Sequence, residues 1–346
     1  MSKSNLTLLI DGNWLLMSRM SVLNGKYEDA KDMCNELKVL MVKSINIVLR
    51  TFPAIDNVIF VADGGSWRNT VEIPKFLDEE YKGTRIKSDD VDWDTLFESF
   101  EDFMAKLASN GITVCKEPGI EGDDWAWYWS KKLNDEGTNV IIWSKDKDLT
   151  QLVKTSKDKC FTIWWNKESG ILTQAVNEDE LNFLFNYEYS ANEEIFNKVI
   201  SNVKTVTEID PHEVVIDKII RGDKGDNILP IIEKKSKTNP EKSFRVYKKD
   251  LDFTINIHDE QSVRNYIERI LTSKSYVDRV DKSEEDILEH FKYNVKLVEL
   301  NAINYPPEVL ETFARYDTYN CCKDISIAEG EIIAEKSEIK SILDTI

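Results

Sequence analysis

Cysteine, histidine, glycine and proline are all scarce in this chain. Five cysteines (Cys34, Cys115, Cys160, Cys321 and Cys322) make an odd number with no Cys-x-x-Cys pair, which argues against a disulfide framework and for a reducing compartment. Three scattered histidines, His212, His258 and His290, do not make a zinc donor set. With 13 Gly and 8 Pro, neither a collagen-like chain nor a Pro-rich linker protein is possible. Long apolar runs are missing too. Segments such as Leu8–Ile10 and Val140–Trp143 fall far short of the ~20 residues needed to cross a bilayer. The residues from Lys3 onward read as the lead into a strand rather than a signal peptide. A cytoplasmic protein without a membrane partner is expected.

Charge is what the chain has in excess. Its 346 residues carry 63 acidic and 45 basic side chains, a net of −18. Taken whole, that balance opposes phosphate binding, which needs local positive potential. The distribution is uneven, however: Lys234, Lys235, Lys237, Lys242, Arg245, Lys248 and Lys249 fall within one short stretch.

A length of 346 residues suits two domains. The first half alternates short apolar runs with helical spacing. Leu6–Ile10, Val58–Ala62, Ile112–Cys115 and Val140–Trp143 read as buried parallel strands. Asn13 is expected to cap a helix starting at Trp14. A second helix runs over 30–49, stopped near Pro53. Phe161–Trp165 and Ile171–Thr173 read as a hairpin across Ser169-Gly170. An insertion over 64–111 holds a polar segment around Tyr81-Lys82-Gly83 and a helix near 91–108. From about Pro211 onward the pattern is helical. The reading is an α/β domain over 1–200, with a mostly parallel sheet flanked by helices, and a helical domain over 205–346.

Each strand of the first half leads into acid: Asp11, Asp63, then Glu121, Asp123 and Asp124, then Asp146 and Asp148. Asp223 and Asp226 follow in Arg221-Gly-Asp-Lys-Gly-Asp-Asn227. Ligands of open α/β sheets bind beyond the carboxyl ends of strands. Carboxylates gathered there repel one another unless cations neutralise them. Oxygen donors without His or Cys point to Mg²⁺, with Mn²⁺ as a substitute, and two such ions are a standard device for displacement at phosphorus. Any one of these acids alone is as readily a turn former or helix cap; the set is the signal. An aspartyl-nucleophile phosphohydrolase wants a second Asp where Asn13 stands. Trp125, Trp127, Tyr128 and Trp129 are expected in the core.

Taken in order, Asp11-Gly-Asn13, Asp63, Tyr81-Lys-Gly-Thr-Arg85, Glu121-Gly-Asp-Asp124, Asp146-Lys-Asp148 and the Arg221–Asn227 motif resemble the flap endonuclease and 5′→3′ exonuclease superfamily. With few histidines and a long helical tail, the chain most resembles the ribonuclease H branch of T-even-type bacteriophages. The resemblance implies a PIN-like (resolvase-like) nuclease domain with a helical arch over 68–108, a DNA-binding helical domain and two Mg²⁺ ions. It also implies removal of RNA primers and 5′ flaps in DNA replication, in a phage-infected host cell.

By the same match, Asp11, Asp63, Asp123 and Asp146 would hold one ion. Glu121, Asp124, Asp148, Asp223 and Asp226 would hold or orient the second, and Lys82 and Arg85 would steady the scissile phosphate. Expected substrates are DNA and RNA–DNA hybrid, as 5′ flap, fork or nicked duplex. A single-stranded DNA-binding protein and a sliding clamp are the expected replisome partners of a monomer. Arg68, Phe76, Tyr81, Lys234, Lys235 and Lys237 complete the expected substrate contacts. The Gly-rich helical hairpin common in the family after Asn227 is missing here, and the arch is acidic (Asp89, Asp90, Asp92, Asp94, Glu98). The rival readings are a PIN-type single-strand endoribonuclease and a non-catalytic DNA-binding scaffold.

Overall fold

The computed structural model describes residues 5–77, 81–84, 91–155, 160–175, 177–185, 205–239 and 241–343. The chain divides into two compact units, one of residues 1–65, 88–209 and 311–346, the other of 66–87 and 210–310.

The first unit is built on a sheet with the strand order β3-β2-β1-β4-β5-β6-β7. Its members are β1 (Leu6–Asp11), β2 (Asn57–Val61), β3 (Thr113–Cys115), β4 (Asn139–Trp143), β5 (Thr162–Asn166), β6 (Gly170–Thr173) and β7 (Val206–Glu208). Pairing is parallel except between β5 and β6, the expected hairpin. β1 is buried on both sides, which is why it reads as unbroken apolar sequence. Leu9 faces Ile59 on one neighbour and Ile142 on the other. Strand order reverses about β1, so the ends of β1, β2 and β4 flank the switch point where such sheets bind ligands.

Period two divides the strands between two layers. Leu6, Leu8, Ile10, Phe60, Trp143 and Trp165 join the core beneath α1 (Gly12–Leu23) and α2 (Ala30–Thr51). Asp29 caps α2, its carboxylate accepting from the N–H groups of Lys31 and Asp32 at 2.8 and 3.0 Å. α3 (Trp93–Ser109) buries Leu96, Phe100, Phe103 and Leu107 in the same core. The second half of the expected arch is therefore a core-packed helix, because its apolar residues recur at helical spacing. Asp89 and Asp90 lie outside the described residues. α4 (Gly122–Asp135) packs against β1 and β4. Its Trp125 and Trp129 are fully buried, as expected of core residues, whereas Trp127 and Tyr128 are half-buried.

The C-terminal tail belongs to this unit rather than to the helical region before it. Trp125 meets Phe313 and Tyr316 with ring centroids 5.1 and 4.7 Å apart. Lys38 on α2 reaches Glu335 at 3.3 Å, and Asn46 donates to Glu329 at 2.7 Å. A short α5 (Glu178–Phe185) adds Leu181 and Leu184 to the same core.

The second unit is helical: α6 (Pro211–Arg221), α7 (Glu260–Thr272) and α8 (Glu284–Val298) surround a core of Ile216, Ile219, Ile267, Ile287 and Phe291. Buried Asn294 knits it, donating to the carbonyls of Ile219 and Leu229, both at 2.9 Å. Helical periodicity predicted these helices but not the short antiparallel ribbon of β8 (Glu233–Lys235) and β9 (Ser243–Arg245) between them. Three-residue strands carry too little sequence for a period to register. Helices α9 (Pro307–Ala314) and α10 (Ser326–Leu343) close the chain. No helix among the described residues is long and apolar enough to cross a membrane.

Candidate active site

At the end of β1, Asp11 rather than Asn13 caps α1. Its carboxylate accepts the Trp14 N–H at 2.9 Å and the Ser144 hydroxyl at 2.6 Å. Gly12 follows because the helix starts hard against β2: a Cβ there would meet the Phe60 ring at 2.3 Å and the Val61 carbonyl at 2.8 Å. Asn13 serves the next strand end instead, its side-chain oxygen accepting the Asp63 N–H at 2.9 Å. The Asp63 carboxylate accepts the Gly122 N–H at 2.7 Å, tying it to the start of α4. Ser144 also accepts the Asp146 N–H at 2.8 Å, and the Asp146 carboxylate accepts the Asp148 N–H at 2.9 Å. The strand ends are thus laced into one frame. Burial pushes the Asp11 carboxyl up to about 7, opposed by the bonds from Ser144 and Trp14 and reinforced by the negative charge of Asp63 and Asp146.

Within this frame Asp123, Asp146 and Asp148 each offer a carboxylate oxygen, all lying within 4.8 Å of one another. Three carboxylates this close repel unless a cation sits among them, and an all-oxygen donor set suits Mg²⁺ or Mn²⁺. The residues fit the cofactor. Asp148 offers an oxygen beside Asp123 and Asp146, whereas the resemblance implies that it serves the second ion with Asp223 and Asp226, and with Glu121 and Asp124. Those two are buried at the start of α4 in a reciprocal capping box, with the Asp124 carboxylate accepting the Glu121 N–H at 3.1 Å.

In the second unit Asp223 and Asp226 lie on a tight loop. Gly222 enters it at φ 68°, and a Cβ there would strike the Ile228 carbonyl at 2.3 Å. The Asp223 carboxylate accepts the Gly225 N–H at 2.7 Å. Lys218, on α6, reaches Asp223 at 2.8 Å and Asp226 at 3.3 Å, so this pair already shares a cation. Lys82 adopts a left-handed backbone at φ 55° and donates its N–H to the Asp226 carbonyl at 2.8 Å. That bond joins the Tyr-Lys-Gly segment to the Arg221–Asn227 motif. Arg85 lies outside the described residues.

Four expected substrate contacts lie against other side chains of the fold. Arg68 is buried, its Nε donating to the Leu297 carbonyl at 2.9 Å and its guanidinium lying over the Trp67 ring. Tyr81 is buried in the second core. Phe76 is half-buried, edge-on to His290 with centroids 6.0 Å apart. Lys234 is 2% exposed, its ammonium 3.7 Å from the centroid of Tyr247 and 4.3 Å from that of Tyr276. Each has an apolar stem or ring that gains more from burial than from solvent contact, which composition alone does not reveal. Lys235 is exposed and paired with Asp281, and Lys237 is exposed.

Residues 6–182 match the family model described as the 5′-3′ exonuclease N-terminal resolvase-like domain. The chain belongs to the 5′-3′ exonuclease family. A 5′-3′ exonuclease of Buchnera aphidicola (subsp. Acyrthosiphon pisum) is 27% identical over 179 residues, which is 51% of this chain and 58% of that protein. The chain therefore spans little more than half the length of that curated relative. Among solved structures, the bacteriophage T5 5′-exonuclease with bound zinc matches at a TM-score of 0.54 and 17% identity, over 90% of this chain and 97% of that one. The bacteriophage T5 flap endonuclease in a pseudo-enzyme–product complex with DNA and metal ions matches at 0.51 and 19%, over the same shares. At these identities the likeness is one of fold.

Two residues of this 5′-3′ exonuclease family member escaped sequence reasoning. Ser144 bonds both Asp11 and Asp146; its signal was a small hydroxyl residue between strand β4 and the Asp-x-Asp motif. Lys218 neutralises Asp223 and Asp226, but a lysine within a helix gives no sequence hint that it reaches a loop five to eight residues on.

Proposed function

We propose that this protein is a divalent-cation-dependent nuclease that hydrolyses phosphodiesters as a 5′→3′ exonuclease and flap endonuclease, with ribonuclease H activity on RNA–DNA hybrid. The observation that carries the reading is the Asp123, Asp146 and Asp148 cluster beside Asp11 and Asp63 at the switch point of the sheet. We assign these five carboxylates to Mg²⁺. The motif match adds Glu121, Asp124, Asp223 and Asp226 as residues serving a second ion. Bound divalent cations supply Lewis-acid stabilisation of charge at phosphorus and a more acidic attacking water.

The chain's own residues do the rest. Ser144 and Asn13 hold the carboxylates in register, and the proton that burial favours on Asp11 would leave to water as a cation binds. Lys82, with Arg85, is assigned to the charge that develops on the phosphoryl oxygens. The second unit, with its exposed Lys237, Lys242, Arg245 and Lys248, is assigned to duplex backbone, where lysine and arginine supply position rather than sequence reading. The T-even-type ribonuclease H resemblance supports primer and flap removal by a cytoplasmic monomer working beside a single-stranded DNA-binding protein and a sliding clamp.

The test is digestion of a 5′-labelled flap, a nicked duplex and an RNA–DNA hybrid with Mg²⁺, followed by product sizing. Short 5′ products from all three are expected. Cleavage of single-stranded RNA alone would replace this reading with a PIN-type endoribonuclease, and no cleavage of any substrate with a non-catalytic scaffold.

A further inference from the structure

Within the first unit, on the sheet face away from α4, α1 and α2 enclose a cavity of about 440 Å³ with the ends of β4 and β5. That is room for a small organic ligand. Its walls include Trp14, Trp143 and Trp165. Its charged lining is Arg19, Lys145, Lys167 and Glu168. Glu168 is taken up by Lys145 at 2.6 Å, which leaves Arg19 and Lys167 as an excess of positive charge.

Arg19 is the telling residue. The chain has 63 acidic side chains. Yet Arg19 has neither an ion pair nor a hydrogen bond among the described residues, and its Nε is buried without a partner. Burial lowers its pKa, with no carboxylate near enough to restore it. An unpaired, half-buried cation gains from an anion that completes it. Two more donors in the same walls are buried and unpartnered, the indole N–H groups of Trp14 and Trp165. Arginine pairs best with planar anions such as phosphate and carboxylate. Trp143 and Trp165 are each only 3% exposed, so the half-buried Trp14 is the ring left to meet a flat aromatic ligand.

We propose that this cavity is a binding site for a nucleoside monophosphate, with phosphate on Arg19 and Lys167 and the base against Trp14. The site is separate from the carboxylate cluster: Lys145 turns into the cavity while Asp146, the next residue, joins Asp123 and Asp148. The inference does not depend on the nuclease reading, since no metal and no reaction enter it.

The test is titration of the full chain with dAMP in EDTA, read by tryptophan fluorescence and by calorimetry, with inorganic phosphate and deoxyadenosine as partial probes. Saturable quenching by dAMP, stronger than with either fragment, is the expected result. Arg19→Met is expected to weaken dAMP binding by about 10–100-fold, the share of one charge-assisted contact. The same variant should melt no lower than the parent, because it removes a half-buried, unpaired charge and keeps an apolar stem in its place. A 5′-phosphorylated dinucleotide that competes with dAMP would identify strand ends as a source of the same ligand chemistry; failure to compete would restrict the site to free nucleotides. No saturable binding at millimolar dAMP, or equal affinity in Arg19→Met, would overturn the proposal. So would a marked loss of melting temperature in that variant, which would make Arg19 a structural residue.

Discussion

In the first unit three carboxylates, Asp123, Asp146 and Asp148, bring oxygens within 4.8 Å of one another, and Asp146 has no ion pair among the described residues. In the second, Asp223 and Asp226 share Lys218 at 2.8 and 3.3 Å. The same residue type in the same set of motifs has been given two electrostatic settings. The Asp146 carboxylate, held by the Asp148 N–H at 2.9 Å beside two other carboxylates, is prepared for a cation that arrives from solution. Carboxylates that already share an ammonium hold their loop and gain less from a further cation. Density of acid in the sequence does not by itself set metal demand; a lysine within reach, as Lys218 is of Asp223 and Asp226, lowers it.

The strongest break of this comparison is Asp146→Asn against Asp226→Asn. The first is expected to lower single-turnover flap cleavage in Mg²⁺ well beyond the roughly 10²–10³-fold typical of one electrostatic contact. Binding measured in Ca²⁺ should persist. Asp226→Asn should cost less, because Lys218 still neutralises Asp223. Equal losses would show that Lys218 does not set the two groups apart. Next in size is Lys82→Ala, expected to slow the chemical step by about 10²–10³-fold with little change in affinity. Single-turnover rates at saturating enzyme separate the two effects. Weaker affinity at an unchanged rate would make Lys82 a backbone contact only.

Buried bases of the second unit sharpen the contrast from the other side. His290 is fully buried, accepts from Lys282 Nζ at 2.8 Å, and is pulled down to about 3, chiefly by burial and then by the Lys282 charge. The unfolded chain takes up this proton near pH 6.5 and the folded chain only near 3, so the unfolded state binds more protons in between. This contribution to stability is whole above about 6.5 and is lost as pH falls toward 3, by about 1.4 kcal/mol per unit at most. Urea unfolding of the wild type and His290→Leu at pH 7 and pH 5 should show a smaller pH dependence in the variant.

The smallest effects divide the basic stretch. Lys234→Ala should lower the melting temperature, losing cation–π contacts that contribute up to about 2 kcal/mol when desolvated. Lys237→Ala should leave the melting temperature alone and flatten the slope of log affinity against log salt by about 0.9. Anisotropy titrations of a nicked duplex at several salt concentrations measure that slope. An unchanged slope would remove Lys237 from the backbone surface.

What the sequence by itself determined is local. Runs such as Leu6–Ile10 and Val140–Trp143 are long enough and apolar enough to be nothing but buried strands, and the acids that follow them therefore had to gather at strand ends. The helical spacing of α2, α7 and α8 was equally plain, since several turns repeat the same apolar interval. Tertiary structure decided which acids meet and which cations answer them. Lys218, Lys234 and Arg68 look alike in sequence to Lys237. Their fates differ because a neighbouring loop, a pair of tyrosines or a carbonyl on a distant helix lies within reach, and reach across the fold has no period to read. The tail shows the same limit. Phe313 and Tyr316 follow helical sequence of the second unit, yet they pack on Trp125 of the first because α4 presents an aromatic face that only burial could complete.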